Sequence, residues 1–334
     1  MAVTIRDVAK RAGVSLGTVS RYLNGYKLRE ENRIKVEKAI QELGFKQNII
    51  AKGLKSNRSM TIGVVIDDFT NIFCTSIVTA IERTVEKENY SIILCDYEGD
   101  TEKLEQKLSF LRNRFVDGLI LFSNNVHLGI MDEYIGEGIP IVIVNEDIPD
   151  FNTDKVLVDN VGASFRAVER FIHSNHTKIA IINGPRSSWV SQQRFEGYRQ
   201  ALEAYNLPVE SRWIKYGNFT TVGGYLAAKE FLEGPDIPTA LYVTNYYMTL
   251  GAVMAIHELN VRVPQQLSLI GFDYFELSDV IKPSLTVIEQ PTSKMGEIAG
   301  NLILKRIKGD YAGYPEVHKL HTRMVIRDSV RIIS

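Results

Sequence analysis

Positions 15–22 read SLGTVSRY, which sets three hydroxyls, a guanidinium and a phenol within eight residues. Ser15, Thr18, Ser20, Arg21 and Tyr22 are side chains that suit phosphates and base edges. A second polar set is scattered through the chain, each member after an apolar run. It comprises Asp67-Asp68-Phe69 with Phe73, Asn145-Glu146, Asp159-Asn160, Trp189 and Arg194 in NGPRSSWVSQQR, Asn218-Phe219, Asn245-Tyr246, Asp273 and Gln290. Sugars require this mixture: planar donors and acceptors for hydroxyl pairs, and an aromatic face for the C–H side of a ring. Any one of these residues also suits a turn or a helix cap, and it is their shared position that groups them. Trp189 either stacks on a ring or packs its lobe.

Catalytic and metal chemistry find no comparable pattern. No G-x-S-x-G, P-loop or G-x-G-x-x-G is present, and the acids have no spacing that marks an acid/base pair. His173 and His176 flank Ser174 and Asn175 and read as a helix end, so no metal and no cofactor is expected. Cys74 and Cys95 sit in or beside apolar patterns and read as buried thiols in a reducing compartment. The N-terminus lacks an apolar signal core and no run of 18 apolar residues occurs, so the expected location is cytoplasmic, without a membrane partner.

The first polar set needs helices to present it. Thr4 caps an amphipathic stretch in which Ile5, Val8, Ala9 and Ala12 share a face. Gly13 supplies a turn, Ser15 caps a second stretch whose Val19 and Leu23 face inward, and Asn24-Gly25 ends it. Two helices so joined make a helix-turn-helix, with Leu16, Gly17, Thr18, Ser20, Arg21 and Tyr22 on the exposed face of the second. A plain αα-hairpin has the same spacing, but charge tells against it. Residues 1–60 hold 13 Lys and Arg against 5 Asp and Glu, whereas the whole chain is at −1. A basic head on an acidic body is the footprint of a DNA-binding module with its own regulator. A third helix over 29–43 completes the head, and the polar NIIAKGLKSNRSM at 48–60 reads as a linker.

The second set needs strands. Apolar runs at 61–66, 91–96, 118–122, 140–144, 178–182, 239–243 and 267–271 alternate with amphipathic stretches such as 72–88 and 191–205. Strands buried on both faces and separated by helices make parallel α/β sheets. A body of this length exceeds one core, so two lobes are expected, with ligand outside the strands' carboxyl ends.

The string from Thr4 to Asn24 resembles the N-terminal signature T-I-x-D-V-A-x-x-A-G-V-S-x-x-T-V-S-R-x-L-N of the lactose-repressor (LacI/GalR) family of bacterial transcription regulators, and the resemblance runs to the C-terminus. It implies a helix-turn-helix domain at 1–47, a hinge at 48–60, and an effector-binding and dimerisation body at 61–334 of the two-lobed periplasmic-binding-protein type. One lobe is expected to hold about 61–160 and 289–320, the other about 161–288 and 321–334, with crossings near Val161, Ile288 and His321. The implied partners are pseudopalindromic operator DNA, a small carbohydrate effector and a second copy of the chain. Thr4, Ser15, Leu16, Gly17, Thr18, Ser20, Arg21 and Asn24 would contact DNA, and Leu54 would wedge into the minor groove. Arg194 lies in a match to R-x-x-G-Y-x-x-A-L, Asp273 in G-F-D, Asn245 in the Asn-Asp of sugar-responsive members and Phe73 in N-P-F-F. Phe219, Asn145, Asp159 and Gln290 occupy further pocket positions, and Trp189 has no firm counterpart.

Some residues depart from the pattern. Gln47 replaces a proline and Gly53 weakens a hinge helix. Ile72, Tyr246 and Tyr274 replace a proline and two aspartates, which suggests a reshaped pocket. The expected function is a dimeric, allosteric repressor of a carbohydrate operon. A regulator with a purine or phosphoprotein corepressor, and a sugar-binding protein without DNA function, are the alternatives.

Overall fold

The computed structural model describes residues 3–23, 25–45, 58–122, 128–148 and 151–333. The chain divides into two compact units, residues 1–59 and 60–334.

In the first unit, α1 (Ile5–Ala12) begins at Thr4, whose hydroxyl accepts from the Asp7 N–H while the Asp7 carboxylate accepts from the Thr4 N–H at 2.8 Å. This reciprocal pair satisfies two donors that a helix start leaves open. Gly13, at φ 65°, ends the helix in a left-handed turn that a side chain would disfavour. The Ser15 hydroxyl then accepts from the Thr18 N–H at 3.1 Å and starts α2 (Leu16–Leu23). With α3 (Glu30–Leu43), these helices bury Val8, Val19 and Val36 completely, with Ala9, Ala12 and Ala39 between them.

The second unit contains two six-stranded sheets. The first has the order β11-β5-β4-β3-β1-β2, with β1 (Thr61–Ile66), β2 (Ser91–Asp96), β3 (Gly118–Leu121), β4 (Ile141–Val144), β5 (Asp154–Val158) and β11 (Val317–Leu320), all parallel. The second has the order β12-β10-β9-β8-β6-β7, with β6 (Ile179–Asn183), β7 (Ile214–Tyr216), β8 (Ala240–Val243), β9 (Ser268–Phe272), β10 (Thr286–Glu289) and β12 (Arg323–Val325). Only β12 is antiparallel there, against β10. Helices cover the sheets: α4 (Ile72–Glu86), α5 (Thr101–Asn113), α6 (Leu128–Gly136) and α12 (Thr292–Ile307) in the first lobe, and α7 (Asn160–Ile172), α8 (Trp189–Ala204), α9 (Thr221–Leu232), α10 (Tyr246–Glu258) and the short α11 (Leu277–Val280) in the second. The strands IVIV and ALYV are buried at every residue, as strands covered on both faces must be.

The chain passes between the lobes three times: after β5, between β10 and α12, and between β11 and β12. Cys74 and Cys95 are buried free thiols. Among the described residues, no helix is long and apolar enough to cross a membrane. The expected hinge residues Gln47, Gly53 and Leu54 lie outside the described residues.

Candidate functional site

Strand ends of the two sheets open onto one cavity of about 600 Å³. The first lobe contributes Asp67 and Asp68 after β1, Glu98 after β2, and Asn145 and Glu146 after β4. The second contributes Asn218 and Phe219 after β7, Asn245 after β8 and Asp273 after β9, with Gln290 on the crossing after β10. The carboxyl ends of parallel strands leave such a crevice because the chain departs to opposite faces there. The structure brings Phe73, Asn145, Arg194, Phe219, Asn245, Asp273 and Gln290 together around it.

Arg194 projects from α8 and is only 3 % exposed. Its Nε donates to the Asn160 amide oxygen at 2.9 Å, its Nη1 donates to the Thr244 carbonyl, and its plane lies 3.7 Å over the Phe272 ring. Those bonds hold the guanidinium in one pose and leave Nη2 uncommitted. Glu196, two residues further along α8, pairs with Arg199 and not with Arg194. Burial pulls the guanidinium below its ordinary value, opposed first by the charge of Asp273. Asp273 accepts from the Gln290 amide at 2.5 Å and from the Tyr246 N–H at 3.2 Å. Burial raises its carboxyl above the usual range, against the pull of Arg194. Glu146 is pushed up to about 8, also by burial.

Three buried oxygens of this lining have no hydrogen-bond partner among the described residues: Asn145 Oδ1, Glu146 Oε2 and Gln290 Oε1. Buried polar groups left so are rare, and a bound ligand is one way to complete them. The backbone is also strained here. Asn145, Phe219 and Asp273 have φ of 64°, 60° and 74°. For a residue as bulky as Phe219 that conformation is an outlier held by its surroundings. Gly184 makes room for it, since a Cβ there would come within 2.2 Å of the Phe219 ring.

Two expected members lie elsewhere. Asp159 caps α7 through the Gly162 N–H and pairs with Lys319 at 3.3 Å, so its carboxylate serves the lobe crossing while neighbouring Asn160 reaches Arg194. Trp189 opens α8 between Ser188 and Val190, both of which line the cavity, but does not line it itself. Successive helical residues point about 100° apart, so adjacency along the chain does not carry over to the cavity wall. Ile72, Tyr246 and Tyr274, expected to reshape this pocket, stand beside it and not in its lining. All three line a separate cavity of about 400 Å³ that shares Phe73, Asp273 and Gln290 as a common wall. The sequence reading missed Ser188 and Thr220, which a cap signal ahead of each helix would have flagged. It also missed Tyr247, whose hydroxyl donates across the lobes to the Thr70 carbonyl and which no local pattern announces.

In the head, Ser15, Leu16, Gly17 and Arg21 are exposed along α2, with Thr18 and Ser20 half-buried beside them. Arg21 forms no ion pair among the described residues, whereas Glu30, Glu31, Glu37 and Glu42 of α3 are all paired with Arg or Lys of the head. The exposed surface of α2 therefore keeps its positive charge. Thr4 is committed to Asp7, and Asn24 lies outside the described residues. Tyr22 is a correction: it is half-buried and its hydroxyl donates to Glu37 at 3.1 Å, which ties α2 to α3.

Comparison with known proteins accounts for both units. Residues 4–48 match the bacterial regulatory proteins of the lacI family, and residues 168–330 match the periplasmic binding protein-like domain. The chain is 33 % identical over 330 residues to the HTH-type transcriptional repressor PurR of Actinobacillus pleuropneumoniae serotype 3, covering 98 % of each chain. It is 34 % identical over 308 residues to the ribose operon repressor of Escherichia coli K12, covering 91 % of this chain and 93 % of that one. The lac repressor dimer bound to operator and the anti-inducer ONPF superposes with a TM-score of 0.88 at 26 % identity, covering 99 % of this chain and 100 % of that one.

Proposed function

This chain belongs to the lacI family of bacterial regulatory proteins, as a DNA-binding transcription regulator and not an enzyme, and on that premise we propose that it represses a carbohydrate-utilisation operon under the control of a small sugar. The sugar binds in the cavity between the two lobes. The observation that carries this reading is the set of unpartnered buried oxygens of Asn145, Glu146 and Gln290, facing Arg194 and the Phe219 ring across one cavity. Sugar hydroxyls donate to such acceptors, and the ring's C–H face packs on the aromatic side chain. Two copies of the chain act together in the cytoplasm, each head reading one half-site of a pseudopalindrome through Leu16, Gly17, Thr18, Ser20 and Arg21. Leu54 in the hinge wedges into the minor groove between them.

The similarity to a purine repressor over nearly the whole chain favours a second reading, a purine corepressor stacked between Phe73 and Phe219. One experiment separates the two. Operator fragments selected from genomic DNA by the purified protein are titrated in fluorescence anisotropy with sugars and with purine bases. Release of DNA by a sugar supports an inducible carbohydrate repressor, whereas tightening by a purine and indifference to every sugar replaces it with the second reading.

A further inference from the structure

We infer that the effector is an uncharged, hydroxyl-rich molecule, an unphosphorylated sugar, and that the cavity is built to exclude its phosphorylated forms. The inference rests on the carbohydrate reading above and narrows its chemical class. Charge is the first observation. Among the described residues, the side chains lining the cavity include five carboxyls, Asp67, Asp68, Glu98, Glu146 and Asp273, against a single cation, Arg194, and no lysine. That cation already spends its Nε and one N–H of Nη1 on Asn160 and Thr244, so the fork formed by Nε and Nη2 is closed to a phosphate. Phosphate oxygens brought among these carboxylates would meet like charge in a partly dehydrated space.

The second observation concerns helix starts, which otherwise form ready-made anion sites through their open N–H groups. Four helices begin at the cavity, and their capping residues Asn71, Ser188, Thr220 and Asn245 line it. Each cap oxygen already accepts from its own first turn: from the N–H of Phe73 at 3.1 Å, Ser191 at 3.4 Å, Gly223 at 3.0 Å and Met248 at 3.1 Å. An oxygen therefore stands at each helix start that an anion would need.

The third observation is the sign of the unfilled demand. Asn145 Oδ1 and Gln290 Oε1 are acceptors, and the Gln290 amide has its orientation set by donation from Nε2 to Asp273. Acceptors are completed by donors. Hydroxyls supply them, and an ionised phosphate supplies none. Burial also raises the Asp67, Glu146 and Asp273 carboxyls, so the site resists further negative charge even before a ligand arrives.

The test is calorimetric titration of the full-length protein with neutral pentoses, hexoses and disaccharides, with the monophosphate of each monosaccharide, and with adenine and hypoxanthine. A neutral sugar is expected to bind, and its monophosphate to bind at least about tenfold more weakly. Added salt should narrow that ratio by screening, as should Asp68→Asn, which removes one carboxyl of the lining and keeps an acceptor oxygen. A monophosphate that binds as tightly as its parent sugar overturns the inference and leaves the carbohydrate reading standing. Purine binding with no sugar bound overturns both.

Discussion

Arg21 and Arg194 carry the same guanidinium in opposite surroundings. Arg21 stands exposed on α2 with no ion pair among the described residues, while Arg194 is buried on α8 with two hydrogen bonds and an aromatic face beneath it. The same contrast runs through the two units. The head offers polar groups to water and keeps them available, so that DNA can exchange for solvent at little cost. The cavity takes polar groups out of water and must hold each one by a partner, by a strained backbone, or by the ligand it awaits. An exposed polar group is worth what it binds, but a buried one also costs when its partner goes.

The sharpest way to break this comparison is to truncate both arginines. Arg194→Ala should lower affinity for the effector by on the order of 3 kcal/mol in calorimetry, and Asp273→Ala by about 2 kcal/mol. The Arg194 variant should also melt earlier, because it strands the Asn160 oxygen and the Thr244 carbonyl inside the second lobe. Unchanged affinity in both variants would remove this cavity as the effector site. Arg21→Ala should instead weaken operator binding by roughly 1–3 kcal/mol and leave the melting temperature within error, since no ion pair among the described residues is lost. A marked loss of stability there would show the two arginines to be less different than their surroundings suggest.

Acidity sharpens the same point. The Glu146 carboxyl sits at about 8 in the folded chain against an ordinary 4.5, so the folded state holds a proton that the unfolded chain has released between those values. The stability this proton confers is fully present below about pH 4.5 and is lost as pH rises to about 8. Denaturant melts at pH 5 and pH 8 should show wild type losing roughly 3–4 kcal/mol relative to Glu146→Gln across that span. Parallel behaviour of the two proteins would mean that Glu146 is solvated. The smallest expected effect is at Gly184. Gly184→Ala should push the Phe219 ring and weaken effector binding by about 1 kcal/mol, with operator binding unaltered. Full effector affinity in that variant would free the Phe219 ring from any part in recognition.

The sequence by itself determined what depends on near neighbours. Thr4, Asp7, Gly13 and Ser15 set the helix starts and the turn of the head through bonds spanning three or four residues, and the apolar runs of the body became strands close to their expected limits. The signature from Thr4 to Asn24 is contiguous for the same reason, since a short recognition helix is presented by a short stretch of chain. The short strands β7, β10 and β12 span only three or four residues, too few to stand out as runs, and were set by pairing with distant segments.

The cavity belongs to the tertiary structure. Its members are brought together only when two sheets face each other, so a strand-end position could nominate a residue but not aim it. Asp159 and Asn160 are adjacent, yet one caps a helix at the lobe crossing and the other grips Arg194. Ser188, Trp189 and Val190 are consecutive, and only the outer two line the cavity, Ser188 from the extended cap ahead of α8 and Val190 from its first turn. Ile72 and Phe73 divide in the same way, Phe73 forming the wall between two cavities while Ile72 faces only the second. Local chemistry chose the kinds of residue at the strand ends. Which oxygens are buried without a donor was decided by packing, because an atom is shut off from water by every element that covers it.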